Sequence, residues 1–376
     1  MRARPLLPVS AVLTALLALP GVTGLACVDG GGDGEGDGLN QPRGRTTFGW
    51  RAVNSAITPV WGGFVADVPG ERTLLVGGVA GPSAPVLPGA EEVGVRGDGI
   101  VPASTIELDV ARYCGCAFID TARNELVVIG GRDGRFADID SAAVIDLDDG
   151  TVTPLGAVLP SQHPVGCQAF YVPATDKGYV FSGLSSTQGN FGDTLARWDG
   201  ETRTFTAVDV TLPPARYDAS IHSLQDGRVL MLGGMGLSNL GALFHRDVWT
   251  FDGATETWTA LALSTDASAQ TPPGRRYAWS AVAPDDDTVL FGYGSDSPQG
   301  ATMLGDLWRL SLSTGSWQPL DGELDGVAVP ARGFASRLPG LPGTAGLLTG
   351  GMNADGDLVT DAFVLDVPAD LDGEWR

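Results

Sequence analysis

The chain has 376 residues, 54 of them Gly, with 18% charged side chains, 45 acidic against 23 basic, and a formal net charge of -22. So acidic a composition leaves no basic surface to displace counterions from phosphates, which excludes a nucleic-acid partner and adsorption to anionic lipid by charge alone. Low charge with 43% apolar residues also excludes a mostly disordered chain and suits many short buried strands joined by tight turns.

Residues 1–26 read as an address. Arg2 and Arg4 precede an apolar run from Leu6 to Leu19, broken by Pro8, and Gly24-Leu25-Ala26 leads to Cys27. A basic start, a short apolar middle and small residues at the cut mark a secretory signal peptide, and the run is too short for a comfortable membrane span. Gly24-Leu25-Ala26-Cys27 resembles the lipobox of bacterial lipoproteins, with Gly24 where Leu is commonest. That resemblance implies a lipidated Cys27 and a membrane partner through it; ordinary cleavage after Ala26 fits the same residues. Residues 27–45 follow as a tether, because Asp29 to Gly38, DGGGDGEGDG, can bury nothing and repels itself. Asp33, Glu35 and Asp37 mimic the start of a calcium loop, but Gly44 stands where a bidentate acid is needed.

From residue 46 onward a glycine pair, or a blurred form of it, recurs. It stands at Gly77-Gly78, Gly130-Gly131, Ser182-Gly183, Gly233-Gly234, Gly292-Tyr293-Gly294 and Gly350-Gly351, at spacings of 53, 52, 51, 60 and 57 residues. Each pair ends an apolar run such as TLLV, ELVVI or RVLML. Runs that short, ended by Gly, predict buried strands and not helices. Another strand-like segment precedes each pair, as in Cys114 to Ile119. After it come a loop, a third strand such as Asp247-Val-Trp-Thr-Phe, and a fourth near an aromatic. Phe205, Trp258, Trp317 and Trp375 lie 22, 24, 23 and 24 residues after their pairs.

Four strands per repeat at this period make a propeller blade, and the glycine-pair-then-Trp order resembles the kelch repeat. The resemblance spans 46–376, is clearest from Pro213 to Leu261, and is weakest in the first repeat. It implies an all-β, six-bladed kelch-type propeller with four antiparallel strands per blade. Thr46 to Val53, TTFGWRAV, reads as an outer strand lacking a blade, with Trp50 in the place of Trp258. The expectation is that it pairs with the last blade and seals the ring.

Arg112, Arg216, Arg276 and Arg332 lie 18 or 19 residues before their glycine pairs, and Tyr113, Tyr217 and Tyr277 follow three of them. In kelch-like blades this position opens the innermost strand, so the resemblance implies four guanidinium groups around one mouth of a central channel. Arg grips planar anions bidentately, which makes these seven residues candidate ligand contacts for a carboxylate. The same spacing fits four arginines that merely tie blades together. Galactose oxidase-like proteins hold copper with two His and two Tyr, one cross-linked to Cys; His163, His222 and His245 have no metal-ligand spacing. No other metal site, no catalytic set and no phosphate loop stands out.

With Cys27 given to lipid, Cys114, Cys116 and Cys167 remain, in an oxidising compartment. Cys116 and Cys167 lie 15 and 16 residues before their pairs, in equivalent places on adjacent blades. Cys167 could bridge to Cys116 or Cys114, or all three could be buried thiols. Asn353-Ala-Asp355-Gly-Asp357 and Asp138-Ile-Asp140 would each suit a calcium ion or an ordinary turn; no other cofactor is expected.

The expected protein is an exported monomer of the cell envelope, periplasmic or on the outer membrane or cell surface. It would bind a protein or a glycan with the loops after each glycine pair. Met235–Arg246, Ser295–Gly305 and Ala80–Thr105 are the longest of these, carrying Asn239, Leu243, Phe244, Gln299 and Met303. Two other classes fit the same features: a periplasmic carbohydrate-active enzyme, sialic-acid epimerase-like, working at the Arg-lined mouth, and a structural spacer.

Overall fold

The computed structural model describes residues 47–376, apart from 69–71, 82–83, 97–98, 158, 161, 267–269, 299, 321–323 and 339. The signal peptide, Cys27, the acidic tether and Gln299 lie outside the described residues. Six four-stranded antiparallel sheets follow one another around an axis. From inner to outer strand, blade one is Phe64–Val68, Arg72–Val76, Gly89–Arg96 and Gly99–Glu107. Blade two is Cys116–Asp120, Glu125–Ile129, Ser141–Asp146 and Val152–Ala157. Blade three is Gln168–Val172, Lys177–Phe181, Leu195–Asp199 and Thr204–Val208. Blade four is Ser220–Ser223, Val229–Leu232, Val248–Asp252 and Thr257–Ala260. Blade five is Trp279–Val282, Thr288–Gly292, Leu307–Ser311 and Ser316–Pro319. Blade six takes three strands from its own repeat, Ser336–Leu338, Thr344–Thr349 and Ala362–Asp366, and its fourth, Phe48–Ala52, from the start of the described chain.

That fourth strand closes the ring as expected. Gly49 pairs with Asp366 and Trp50 with Leu365, antiparallel, and Arg51 bonds Asp366 at 3.0 Å. Leu324–Gly326 then lies parallel along its outer edge. Trp375 therefore does not close blade six, contrary to its spacing, because Trp50 already fills that place. Its ring rests on Phe48 at 6.3 Å, and the next residue, Arg376, pairs its backbone with Val282 of blade five at 2.9 and 2.6 Å. Ala80–Thr105 also differs from expectation. Most of it forms the two long outer strands of blade one, with the ladder shifting register at Glu92/Val93, next to Pro102, which has no amide to donate.

The glycine pairs have a single backbone cause. Both residues are left-handed in every blade, for example Gly77 and Gly78 at φ 59° and 98°, and Gly350 and Gly351 at 67° and 86°. In blades three and five Ser182 and Tyr293 take the first place at 57° and 56°. The second amide of each pair donates to the neighbouring blade, Gly78 to Arg112 O at 2.9 Å and so on round to Gly351 and Val60 O at 2.8 Å. A Cβ on Gly77 would stand 2.1 Å from Arg112 O, and on Gly350 2.3 Å from Val60 O. The pair is thus where adjacent blades touch backbone to backbone.

Side chains fill the rest of each interface, giving six apolar clusters, one between each pair of neighbouring blades. Trp258 on the outer strand of blade four reaches back to Phe170 and Phe181 of blade three, at 6.0 and 5.5 Å. Each ring so enclosed contributes roughly 2–3 kcal/mol of burial.

The axial channel and its closed mouth

Every inner strand is entered through one left-handed residue: Gly62, Cys114, Gly166, Asp218, Tyr277 and Phe334, at φ between 51° and 66°. These six form a belt around the axis. Cys114 N donates to Gly62 O at 2.6 Å, Gly166 N to Cys114 O at 2.7 Å, Asp218 N to Gly166 O at 2.9 Å and Tyr277 N to Asp218 O at 3.4 Å. Four of the six are not Gly, so the belt holds side chains in a conformation that costs them about 1–2 kcal/mol each.

Aromatic rings close the channel on the loop side of the belt. The sequence of contacts runs Phe136–Tyr113 (6.4 Å), Tyr113–Trp61 (5.1 Å), Trp61–Phe334 (5.8 Å), Phe334–Tyr277 (3.4 Å), Tyr277–Tyr217 (6.2 Å) and Tyr217–Phe191 (5.3 Å). Tyr113, Tyr217 and Tyr277 therefore share one mouth, Tyr113 reaching the other two through Trp61 and Phe334.

The arginines do not. Arg112, Arg216 and Arg332 are fully enclosed and face their own blades. Arg216 donates to Pro214 O and Gly233 O at 3.0 Å and grips Asp247 with both terminal nitrogens at 2.8 and 2.9 Å. Arg112 bonds Val110 O, Gly130 O and Asp109, and Arg332 bonds the carbonyls of Pro330, Gly350 and Asp361. Burial pushes the Arg112 and Arg332 guanidinium groups below their ordinary range, with Asp109 opposing it for Arg112 and Tyr293 for Arg332. The expected ring of four guanidinium groups at the mouth gives way to four staples inside blades.

The fourth staple is Arg275, which holds Pro273 O, Tyr293 O and, bidentately, Asp306 at 2.7 Å. Arg276 is one residue out of phase with the other three and occupies the place of Tyr113 and Tyr217. There it does stand at the mouth, donating to Tyr277 Oη at 3.1 Å and Pro298 O at 2.7 Å and lying 5.2 Å over the Tyr217 ring. Its buried Nε has no partner among the described residues.

A second cation beside it, Arg132, escaped the sequence reading. It bonds Asp138 at 3.3 Å and the Ser186 hydroxyl. A signal was present, because Arg132 follows its glycine pair where the other blades carry Val79, Leu184, Met235, Ser295 and Met352. Between these cations lie Cys114, Asp218 and Tyr277. Burial pushes the Asp218 carboxyl well up, opposed by a hydrogen bond from Tyr277 and the charge of Arg132. Burial also raises the Cys114 thiol and the Tyr277 phenol.

Inside the belt the inner strands enclose a cavity of about 590 Å³ whose lining runs on to Thr121, Pro173 and Gln225 at the turns of the opposite face. Its polar groups include Asp67, His222, Ser280, Arg337 and Arg376. His222 Nε2 lies 2.7 Å from Ser280 Oγ, and burial with the nearby charge of Arg337 pushes the imidazole down to about 3. Arg337 is lowered to about 10 by burial, and Asp67 is raised by burial against the opposing charge of Arg337. Asp67 is exposed to the lumen, with the inner strands around it. None of these lumen residues was singled out as a candidate site from the sequence, because only the strand register decides which residues face the axis.

Cys116 and Cys167 are joined as a disulfide between the inner strands of blades two and three, with Cα atoms 5.5 Å apart, and Cys114 is free. Asn353 Oδ1 accepts the amides of Asp355 and Asp357, and Asp138 accepts from Arg132 and the Ser186 amide, so both acidic loops are tied internally.

Six four-stranded antiparallel blades around one channel define the class: an all-β, six-bladed propeller. The chain belongs to the kelch-repeat family, residues 116–337 matching the KLHDC2/KLHL20/DRC7 Kelch-repeats domain. It is 29% identical over 177 residues to tRNA wybutosine-synthesizing protein 4 of Aspergillus fumigatus, a match covering 45% of this chain but 15% of that protein. A solved structure of YjhT superposes with a TM-score of 0.61 over 85% of this chain and 98% of its own, at 16% identity, a likeness of fold alone. Among the described residues no helix is long and apolar enough to cross a membrane.

Proposed function

We propose that this chain is an exported binding module, held at a membrane by lipid on Cys27, which recognises a protein or glycan of the cell envelope with its loop face. One observation carries the reading. The hairpin Met235–Ser238 with Gly241–Phe244 stands on blade four with Leu237, Leu240 and Leu243 exposed, Leu240 completely. Those ten residues carry no charge, in a chain of net charge -22. Apolar side chains displayed together on an ordered hairpin suit an interaction surface better than a solvated one. Strand direction supports the reading. Phe48–Ala52 is an outer strand and runs from the turn face towards the loop face. A tether preceding it joins the turn face and leaves the loop face pointing away from the membrane.

Metabolic labelling with an alkyne fatty acid tests the anchor: label on the wild type and none on Cys27→Ser is expected, and label on both would sink it. For recognition, the mature protein is screened on a glycan array and by crosslinking in envelope preparations, beside a Leu237→Asp, Leu240→Asp, Leu243→Asp variant. The variant should melt like the wild type and lose the captured partner. Equal capture by the two would remove the loop face from the reading.

A further inference from the structure

Because the inner strands place equivalent residues around one axis, a group kept for a ligand shows as a break in the repeat. Three residues beyond the left-handed entry, the lumen position holds Val65, Ala117, Ala169, Ile221, Ser280 and Arg337, all lining the cavity. At this position blades one to four present apolar side chains. Blade six presents the only charge at this level.

Arg337 is held from one side. Its Nη2 donates to Trp375 O at 2.7 Å and Ala345 O at 3.2 Å, while the buried Nε has no partner among the described residues. Ser336 Oγ and Gln168 Oε1, 5% and 2% exposed at the residue level, are likewise unpartnered and lie on the cavity wall. Arg337 lines the cavity, and a carboxylate is the best-matched partner of a guanidinium group. Asp67, on the neighbouring inner strand and within electrostatic reach of Arg337, disfavours a ligand with more than one negative charge. A neutral polyol would satisfy the polar side and leave the apolar wall wet.

We infer that the axial cavity binds a small organic monocarboxylate with an apolar body, its charge at Arg337 and its body against Ala117, Ala169 and Ile221. A cavity of about 590 Å³ is within the range that encloses such a molecule. Entry is from the turn face, past Thr121 and Gln225, since Tyr277 and Phe334 close the other end. This site is separate from the loop face and does not depend on it.

The test is titration calorimetry of the mature protein with phenylacetate, and with 2-phenylethanol as its uncharged counterpart. Phenylacetate should bind the wild type at least about tenfold more tightly than the alcohol, which is the scale of one charge-assisted hydrogen bond. Arg337→Gln should abolish that preference. Because Arg337 also holds two backbone carbonyls, Ala169→Trp provides an independent arm, filling the lumen from the opposite wall. It should keep the melting temperature within a few degrees and bind neither compound. Equal phenylacetate binding by wild type and Ala169→Trp, no preference over the alcohol, or no binding by the folded wild type would each overturn the proposal.

Discussion

The indole of Trp50, on the first strand, meets that of Trp279, on the inner strand of blade five, edge-on at 5.5 Å, and lies 5.7 Å from Tyr293. One side chain thus fastens the start of the propeller to the interface between its last two blades. Trp50→Ala should cost about 3–5 kcal/mol, and deleting residues 40–53 should lower the melting temperature sharply. Thermal and urea unfolding followed by circular dichroism decide; an unchanged melt would show that the ring closes without this strand.

The glycine pairs offer a contrast between crowded and open sites. Gly350→Ala sets a Cβ against Val60 O and should destabilise by more than the ~1–2 kcal/mol of a left-handed Ala alone. Gly227, at φ 85° with nothing within 4 Å of a Cβ, should show only that backbone cost when changed to Ala. Equal urea midpoints for the two variants would contradict the close approach of blades at the pair.

Arg216→Ala removes the partner of a buried carbonyl and of Asp247, and a loss of about 3 kcal/mol is expected. Arg276→Ala, at the mouth, should cost much less. Comparable losses for both would put Arg276 among the structural arginines.

These two residues show how far the sequence could be read. Blade number, strand order and the closing strand were legible, because glycine at positive φ and the outer aromatic repeat in every module. The site was legible only in part. Arg275 and Arg276 differ by one position, and a one-residue shift in an extended chain turns a side chain from blade interior to channel mouth. Asp67, His222 and Arg337 carry no motif, so only the fold reveals that they share a lumen.

The disulfide between Cys116 and Cys167 closes a segment of 51 residues. Its removal by Cys116→Ser with Cys167→Ser should cost about 2–5 kcal/mol, while Cys114→Ser changes little. Mass spectrometry of alkylated peptides checks the pairing, and a Cys114-to-Cys167 bridge would refute it.

His222 gives a pH signature. Its folded-state value of about 3 lies below the ordinary 6.5, set first by burial and then by the charge of Arg337. Above pH 6.5 both states are neutral and nothing changes. As pH falls below 6.5 the unfolded chain takes a proton that the folded chain refuses, so stability declines towards pH 3. Asp67 and Asp218, raised by burial, act in the opposite sense, and Arg337, at about 10, stays charged throughout. The useful reading is therefore the difference between wild type and His222→Gln, whose urea midpoint should gain on the wild type between pH 7 and pH 4.5. Parallel profiles would mean that His222 is protonated in the folded state as easily as in the unfolded chain.

Ring closure also sets an order in time. Arg51 and Asp366 bond across 315 positions of chain, so the strand made first is used last. Until Ala362–Asp366 has emerged, Phe48 and Trp50 lack the strand that joins them to blade six, and that edge of the strand stays unpaired in the nascent chain. Blades one to five can form from contiguous segments meanwhile. The propeller's last step is then a docking of distant ends onto a nearly finished ring, and its slowest, most aggregation-exposed interval falls before that docking.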